Sequence, residues 1–114
     1  NVGGCCLALS LADYARLGQF VLEGGGGEVP ADWFAEAGTA HADLGGGFGY
    51  GYQWWTYPAG AFGAIGIFGQ SMTQFPGEQL VVVVLSNWPA ATGQELTRPR
   101  TALLAQVYAA IAAE

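Results

Sequence analysis

The chain has no lysine; its only fixed cations are Arg16, Arg98 and Arg100. Within these 114 residues that excludes a Ser-x-x-Lys nucleophile, a Lys-Thr-Gly strand, a Walker lysine and a Schiff-base lysine. Nine acidic residues against three arginines give a formal net charge of −6, which repels polyphosphate, so nucleic acid is not an expected partner. One histidine, His41, and two adjacent cysteines, Cys5 and Cys6, do not provide the spacing of a tetrahedral metal site, and neither a metal nor another cofactor is expected. Bonding neighbouring cysteines to each other needs a strained ring, so the pair reads as two small buried residues and not as a disulfide framework. No apolar run reaches the roughly 18 residues that span a bilayer, and the first residues lack a charged segment followed by an apolar one, so no membrane association is expected.

What is abundant is apolar and glycine content. At 52% hydrophobic residues the chain can build a real core, and residues 1–114 are expected to form one domain. Ser10-Leu-Ala-Asp13 places a hydroxyl at an N-cap and a carboxylate three residues on, and Leu11, Tyr14, Leu17, Val21 and Leu22 follow at helical spacing. The glycine run Gly24–Gly27 ends that pattern, which predicts a helix over residues 10–23. Pro30 and the residues to Glu36 suit a short helix, and residues 38–48 read as loop.

After Gly49 the period becomes two. Tyr50 to Tyr57 reads as one aromatic strand with both faces covered, followed by a glycine-stepped segment from Gly60 to Gln70 and a Pro76-Gly77 turn. The valine run from Val81 to Leu85 suits a central strand, and a closing amphipathic helix is expected from Arg98, with Pro99 in its first turn. The expected fold is α+β: an antiparallel sheet of three to four strands with N- and C-terminal helices packed on it.

The residues alone complete no active site. His41 reads as solvated or structural, Ser10, Ser71 and Ser86 lie in none of the usual nucleophile settings, and Asp13, Asp32, Glu36 and Asp43 read as cap, helix-start and surface charges. Gly60, Gly63, Gly66 and Gly69 recur every third residue, which is no strand period. They mark bends or a backbone approached closely, whether by a ligand or by core aromatics such as Trp54, Trp55 and Phe62.

Five segments taken in order resemble a known family: Gly4 to Leu22, Val29-Pro30, Gly49-Tyr-Gly-Tyr-Gln-Trp-Trp55, Gly63-Ala-Ile-Gly-Ile-Phe-Gly-Gln70, and Val81 to Asn87. Together they are similar to the C-terminal third of the serine β-lactamase-related hydrolases, the class C β-lactamase, penicillin-binding-protein and esterase group, and most of all to its 6-aminohexanoate-dimer hydrolases. The resemblance implies cleavage of amides or esters through an acyl-enzyme, which splits one hard hydrolysis into two easier steps. It also implies that the Ser-x-x-Lys and tyrosine motifs lie in an upstream half outside this sequence, so that the chain by itself is inactive.

By register, Ala61-Phe62-Gly63 takes the place of the family's Lys-Thr-Gly. The resemblance then implies that the backbone N–H of Ala64 is one oxyanion donor, with Phe62, Gly63, Ala64, Ile65 and Trp55 at the substrate. The implied partners are a small amide or ester, and either a complementary N-terminal half or further copies of the chain. The alternative is a stand-alone, self-associating module without catalysis. The compartment stays open between periplasm and cytoplasm, with the cytoplasm favoured.

Overall fold

The first helix starts and stops where local chemistry dictates. In the computed structural model, which describes residues 6–114, α1 spans Leu11–Leu22. The Ser10 hydroxyl oxygen accepts the Asp13 N–H at 3.2 Å and donates to the Asp13 carboxylate at 2.7 Å, so the expected cap forms. At the other end Gly24, at φ 76°, gives its N–H to the Val21 carbonyl, and Gly25 gives its own to Phe20. This paired closure satisfies two orphan carbonyls and requires the left-handed residue that glycine supplies. The second helix, α2 (Trp33–Ala37), follows Pro30 as expected.

Six antiparallel strands then run in sequence order across one sheet: β1 (Ala42–Gly45), β2 (Phe48–Tyr50), β3 (Trp55–Thr56), β4 (Phe62–Ile65), β5 (Ser71–Phe75) and β6 (Leu80–Val84). A third helix, α3 (Gln94–Ala112), closes the chain. The α+β class holds, and the sheet has two strands more than the largest number expected. Residues 38–48, read as loop, carry β1 and the start of β2, joined through Gly45–Gly47, all three at positive φ. The expected single strand from Tyr50 to Tyr57 is a tight hairpin instead, turning at Tyr52-Gln53 with Gln53 at φ 64°. Ser71–Phe75 gave no apolar signal, yet it is the best-buried strand, because Thr73, Gln74 and Ser71 lie in it alongside Met72.

The valine run is corrected in the opposite sense. Among the described residues β6 pairs only with β5, and all five of its residues are half-buried, so within them it is an edge strand where its composition suited a central one. Its uncharged β-branched sequence carried no sign of which neighbours it would have. The last helix begins a turn earlier than expected, at Gln94 after Gly93, so Pro99 lies inside it and withholds one N–H from the Glu95 carbonyl. Cys6 is exposed and disulfide-bonded, against the expectation of a small buried thiol; Cys5 lies outside the described residues.

The helix α1 packs on the face of β5 and β6 formed by Met72, Gln74 and Val81. A methyl group built at Gly18 would overlap the Val81 side chain and lie 3.3 Å from Met72 Sδ, so glycine in mid-helix allows the close approach. An aromatic line ties the helices to the sheet: Phe20 meets Phe34 at 6.2 Å, Phe34 meets Trp54 at 6.3 Å and Trp54 meets Phe62 at 5.4 Å, all edge to face. Phe75 follows Gln74 and points to the opposite face, where its ring meets Tyr108 of α3 at 4.9 Å. No described helix is long and apolar enough to cross a membrane.

Candidate functional site

Strand β4 is where the sheet changes from fully paired to half-open. Tyr57 donates to the Ala61 carbonyl at 2.8 Å, and because hydrogen-bonded pairs recur every second residue, Trp55–Gly63 is the next such pair. The pairing stops there. The position that would face Ile65 belongs to Gln53, whose N–H turns back to the Gly51 carbonyl at 3.1 Å. On the other side Gly66 donates to the Gln70 carbonyl at 2.8 Å, so Ala64–Met72 is also a hydrogen-bonded pair. The Ala64 N–H is therefore directed into the sheet, whereas that of Ile65 faces the open edge. Ile67 follows in the turn after β4, with its carbonyl held by the Thr92 N–H at 2.8 Å.

A cavity of about 760 Å³ opens at this end of the sheet. Ala64, Ile65 and Ile67 line it from β4 and the following turn, Ser71 and Met72 from β5, and Trp54 and Leu17 from the α1 side. No charged side chain is among its described lining residues, although the chain as a whole is strongly acidic. Ala64 and Ile65 are exposed there. The residues named from sequence thus separate. Phe62 is buried and faces a second cavity of about 470 Å³ between α2 and the β3–β4 hairpin, because it alternates with Gly63 and is paired to Gln74. Gly63 is buried against the Met72 carbonyl, and Trp55 lies opposite Gly63 with its ring 5.0 Å from Tyr50, outside the first cavity. Trp54, not Trp55, is the tryptophan of the cavity.

Sequence reasoning missed Leu17, Ile67, Gln70 and Met72 as lining residues. Ser71 was considered only as a nucleophile. The glycine step was the usable signal. Gly69 (φ 92°) sits beneath the Trp88 indole and Gly66 beneath the Gln70 side chain, so the groups that approach these glycines are the protein's own.

The titratable groups lie elsewhere. His41 stacks on Tyr52 at 4.1 Å with its Nε2 3.1 Å from the Glu36 carbonyl, which makes it a structural residue of the α2 surface. Among the described residues no cluster of three His, Cys, Asp or Glu side chains could hold a metal ion. The Tyr57 phenol is pushed above its usual range by burial, partly offset by Arg100. Hydrogen bonds to Glu78 and Glu36 raise those of Tyr108 and Tyr52 in the same way. A raised phenol contributes stability that is complete below the unfolded tyrosine value near 10 and is lost as pH rises through the folded value. The 2.7 Å bond from Tyr108 to Glu78 fastens α3 to the β5–β6 turn. The melting temperature should consequently fall as pH rises above about 10, and Tyr108→Phe should make that fall shallower in a pH series of thermal melts.

A search of curated proteins finds no match. A family model described as Beta-lactamase matches residues 6–106, which takes in α1, α2, the whole sheet and most of α3. With that match over most of its length, and with helices packed on an antiparallel sheet whose β4 edge opens on a cleft, the chain belongs to the Beta-lactamase family.

Proposed function

We propose that this chain forms the far wall of a serine hydrolase cleft that cleaves amide or ester bonds through an acyl-enzyme, in the branch of the family typified by the 6-aminohexanoate-dimer hydrolases. The observation that carries the reading is the open edge of β4: the Ile65 N–H lies outside the sheet ladder beside an uncharged cavity of about 760 Å³. Such a donor stabilises the oxyanion of the tetrahedral intermediate without any demand on side-chain identity. The donor in this reading is Ile65 or, in the turn that follows β4, Ile67. This reading takes Ile65 in place of Ala64 because the ladder phase directs the Ala64 N–H toward Met72. Residues 1–114 then correspond to the C-terminal part of a larger catalytic domain, with the nucleophilic serine, its lysine and the proton-moving tyrosine contributed by a complementary N-terminal half. The absence of any lysine here makes that complement necessary and leaves the chain inert by itself. Joining it to the upstream half of a family hydrolase should create ester turnover; turnover by the 114 residues alone would defeat the reading.

One observation favours association of the chain with itself when no such half is present. Among the described residues β6 is an uncharged edge strand, Leu80–Val84, paired on one side only, and unpaired edges of this kind recruit other strands. In the stand-alone reading the module self-associates without catalysis. Sedimentation at micromolar concentration should then give a homo-oligomer that Val82→Asp returns to monomer. A dilute, folded wild-type monomer would count against it.

A further inference from the structure

We infer that the second cavity, between α2 and the β3–β4 hairpin, is a binding site for a small uncharged compound of one aromatic ring bearing a hydroxyl group. The inference does not depend on the cleft reading above.

The walls of this cavity are the chain's own. Val21 and Leu22 end α1, Phe34 belongs to α2 and Phe62 opens β4, and between them lie about 470 Å³ at the other end of β4 from Ile65. That volume falls within the roughly 300–1,000 Å³ usual for small-ligand sites. Phe62 reaches its place in the wall because Gly38 has no side chain; a methyl group built there would lie 2.7 Å from the ring.

One free polar group is aimed into the space. Thr56 pairs with Gly49 and Phe62, and directly opposed residues share a face, so its side chain stands on the Phe62 side of the sheet, beneath α2. A methyl group built at Gly49 would lie 2.8 Å from Thr56 Oγ1 and 2.7 Å from Ala40 Cβ, in agreement with that direction. Thr56 is 6% exposed and lines the cavity; its hydroxyl bonds to no described residue and is not sealed off, so its free side opens there. Buried hydroxyls of this kind are normally satisfied. The other hydroxyl on the same wall, that of Thr39, already donates to the Ala35 carbonyl at 2.8 Å, and Tyr57 turns to the opposite face toward Arg100.

The surroundings set the class of ligand. No described lining residue is charged, so an ionised compound would lose its hydration there with nothing to neutralise it. Phe34 and Phe62 favour a third ring set edge to face. A hydroxyl on that ring can donate to Thr56 or accept from it.

Phenol, toluene and benzoate, each added to the 114-residue chain and followed by NMR shifts, test this. Phenol should shift the signals of Thr56, Ala61 and Phe62. The near-isosteric Thr56→Val should weaken phenol by about threefold to tenfold, the range of one net hydrogen bond, and leave toluene unaffected, whereas Thr56→Ser should keep the phenol affinity. Benzoate should bind at least about tenfold more weakly than phenol, as burying an unpaired carboxylate requires. Because the hydroxyl has no partner in the protein, Thr56→Val should not lower the melting temperature. Phenol binding unchanged in Thr56→Val, or phenol and toluene weakened alike, would overturn the role of Thr56. A lowered melting temperature without loss of phenol affinity would do the same. Benzoate binding as tightly as phenol would overturn the class of ligand. Shifts confined to Ile65 and Ile67, or none with any of the three compounds, would overturn the site itself and leave the cleft reading in place.

Discussion

Gly51→Ala will lower the melting temperature of this chain by more than about 10 °C, the largest stability effect expected of any single methyl group here. A methyl group built at Gly51 overlaps the Ala37 carbonyl oxygen and lies 2.7 Å from that of Thr39. Both obstacles are backbone, so no side chain can swing aside. The Ala37 carbonyl also accepts the Tyr52 N–H at 3.0 Å, the bond that holds the β2–β3 hairpin against α2. Forcing the two apart adds a lost hydrogen bond to the overpacking, about 3 kcal/mol in all. A domain of this size has only about 5–15 kcal/mol to lose. Gly77→Ala is the control. Nothing lies within 4 Å of its added methyl group and its φ is not positive, so thermal melts should leave it within about 0.5 kcal/mol of the parent.

Ile65→Pro will leave the fold intact and, in a completed enzyme, will cut kcat by about 10²–10³-fold if Ile65 is the oxyanion donor. Proline removes the N–H and little else at this position. The Ile65 N–H is outside the ladder, and Ala64, the preceding residue, is already extended, which is the conformation a following proline requires. Ala64→Pro makes the opposite trade. It deletes the bond to Met72 at the centre of the β4–β5 pairing and should appear as lost stability. Ile67→Pro tests the second candidate, in the turn that follows β4. If both isoleucine variants retain full kcat, neither the β4 edge nor that turn supplies an oxyanion donor.

The first helix and the family were legible in the sequence, because they depend on local or ordered signals. The Ser10–Asp13 cap and the Gly24-Gly25 closure act within one turn of α1 and need nothing from the rest of the chain. The five ordered segments named the family before any coordinate did. The sheet was harder, since whether Val81–Leu85 is central or edge depends on what pairs beside it, which no local pattern records. Ser71–Phe75 failed for a related reason: three of its five residues are polar and buried, so burial and hydropathy disagree there. The proposed donor differs from the sequence reading by one residue. Sequence register placed the donor at Ala64, but which way an N–H points follows from the pairing phase of the ladder. That phase appears only once Gly66 is seen bonded to Gln70, and Tyr57 to Ala61.

The central claim is that this chain holds one wall of a serine hydrolase cleft and lacks the nucleophile. Release of p-nitrophenol from p-nitrophenyl butyrate tests it most directly, measured first with the chain alone and then with the chain joined to an upstream half bearing Ser-x-x-Lys and the tyrosine motif. The account predicts no burst from the chain alone, and from the joined protein a burst approaching one equivalent that disappears when the donor serine is changed to alanine. Turnover by the isolated chain, or a folded joined protein that gives no burst, would contradict it.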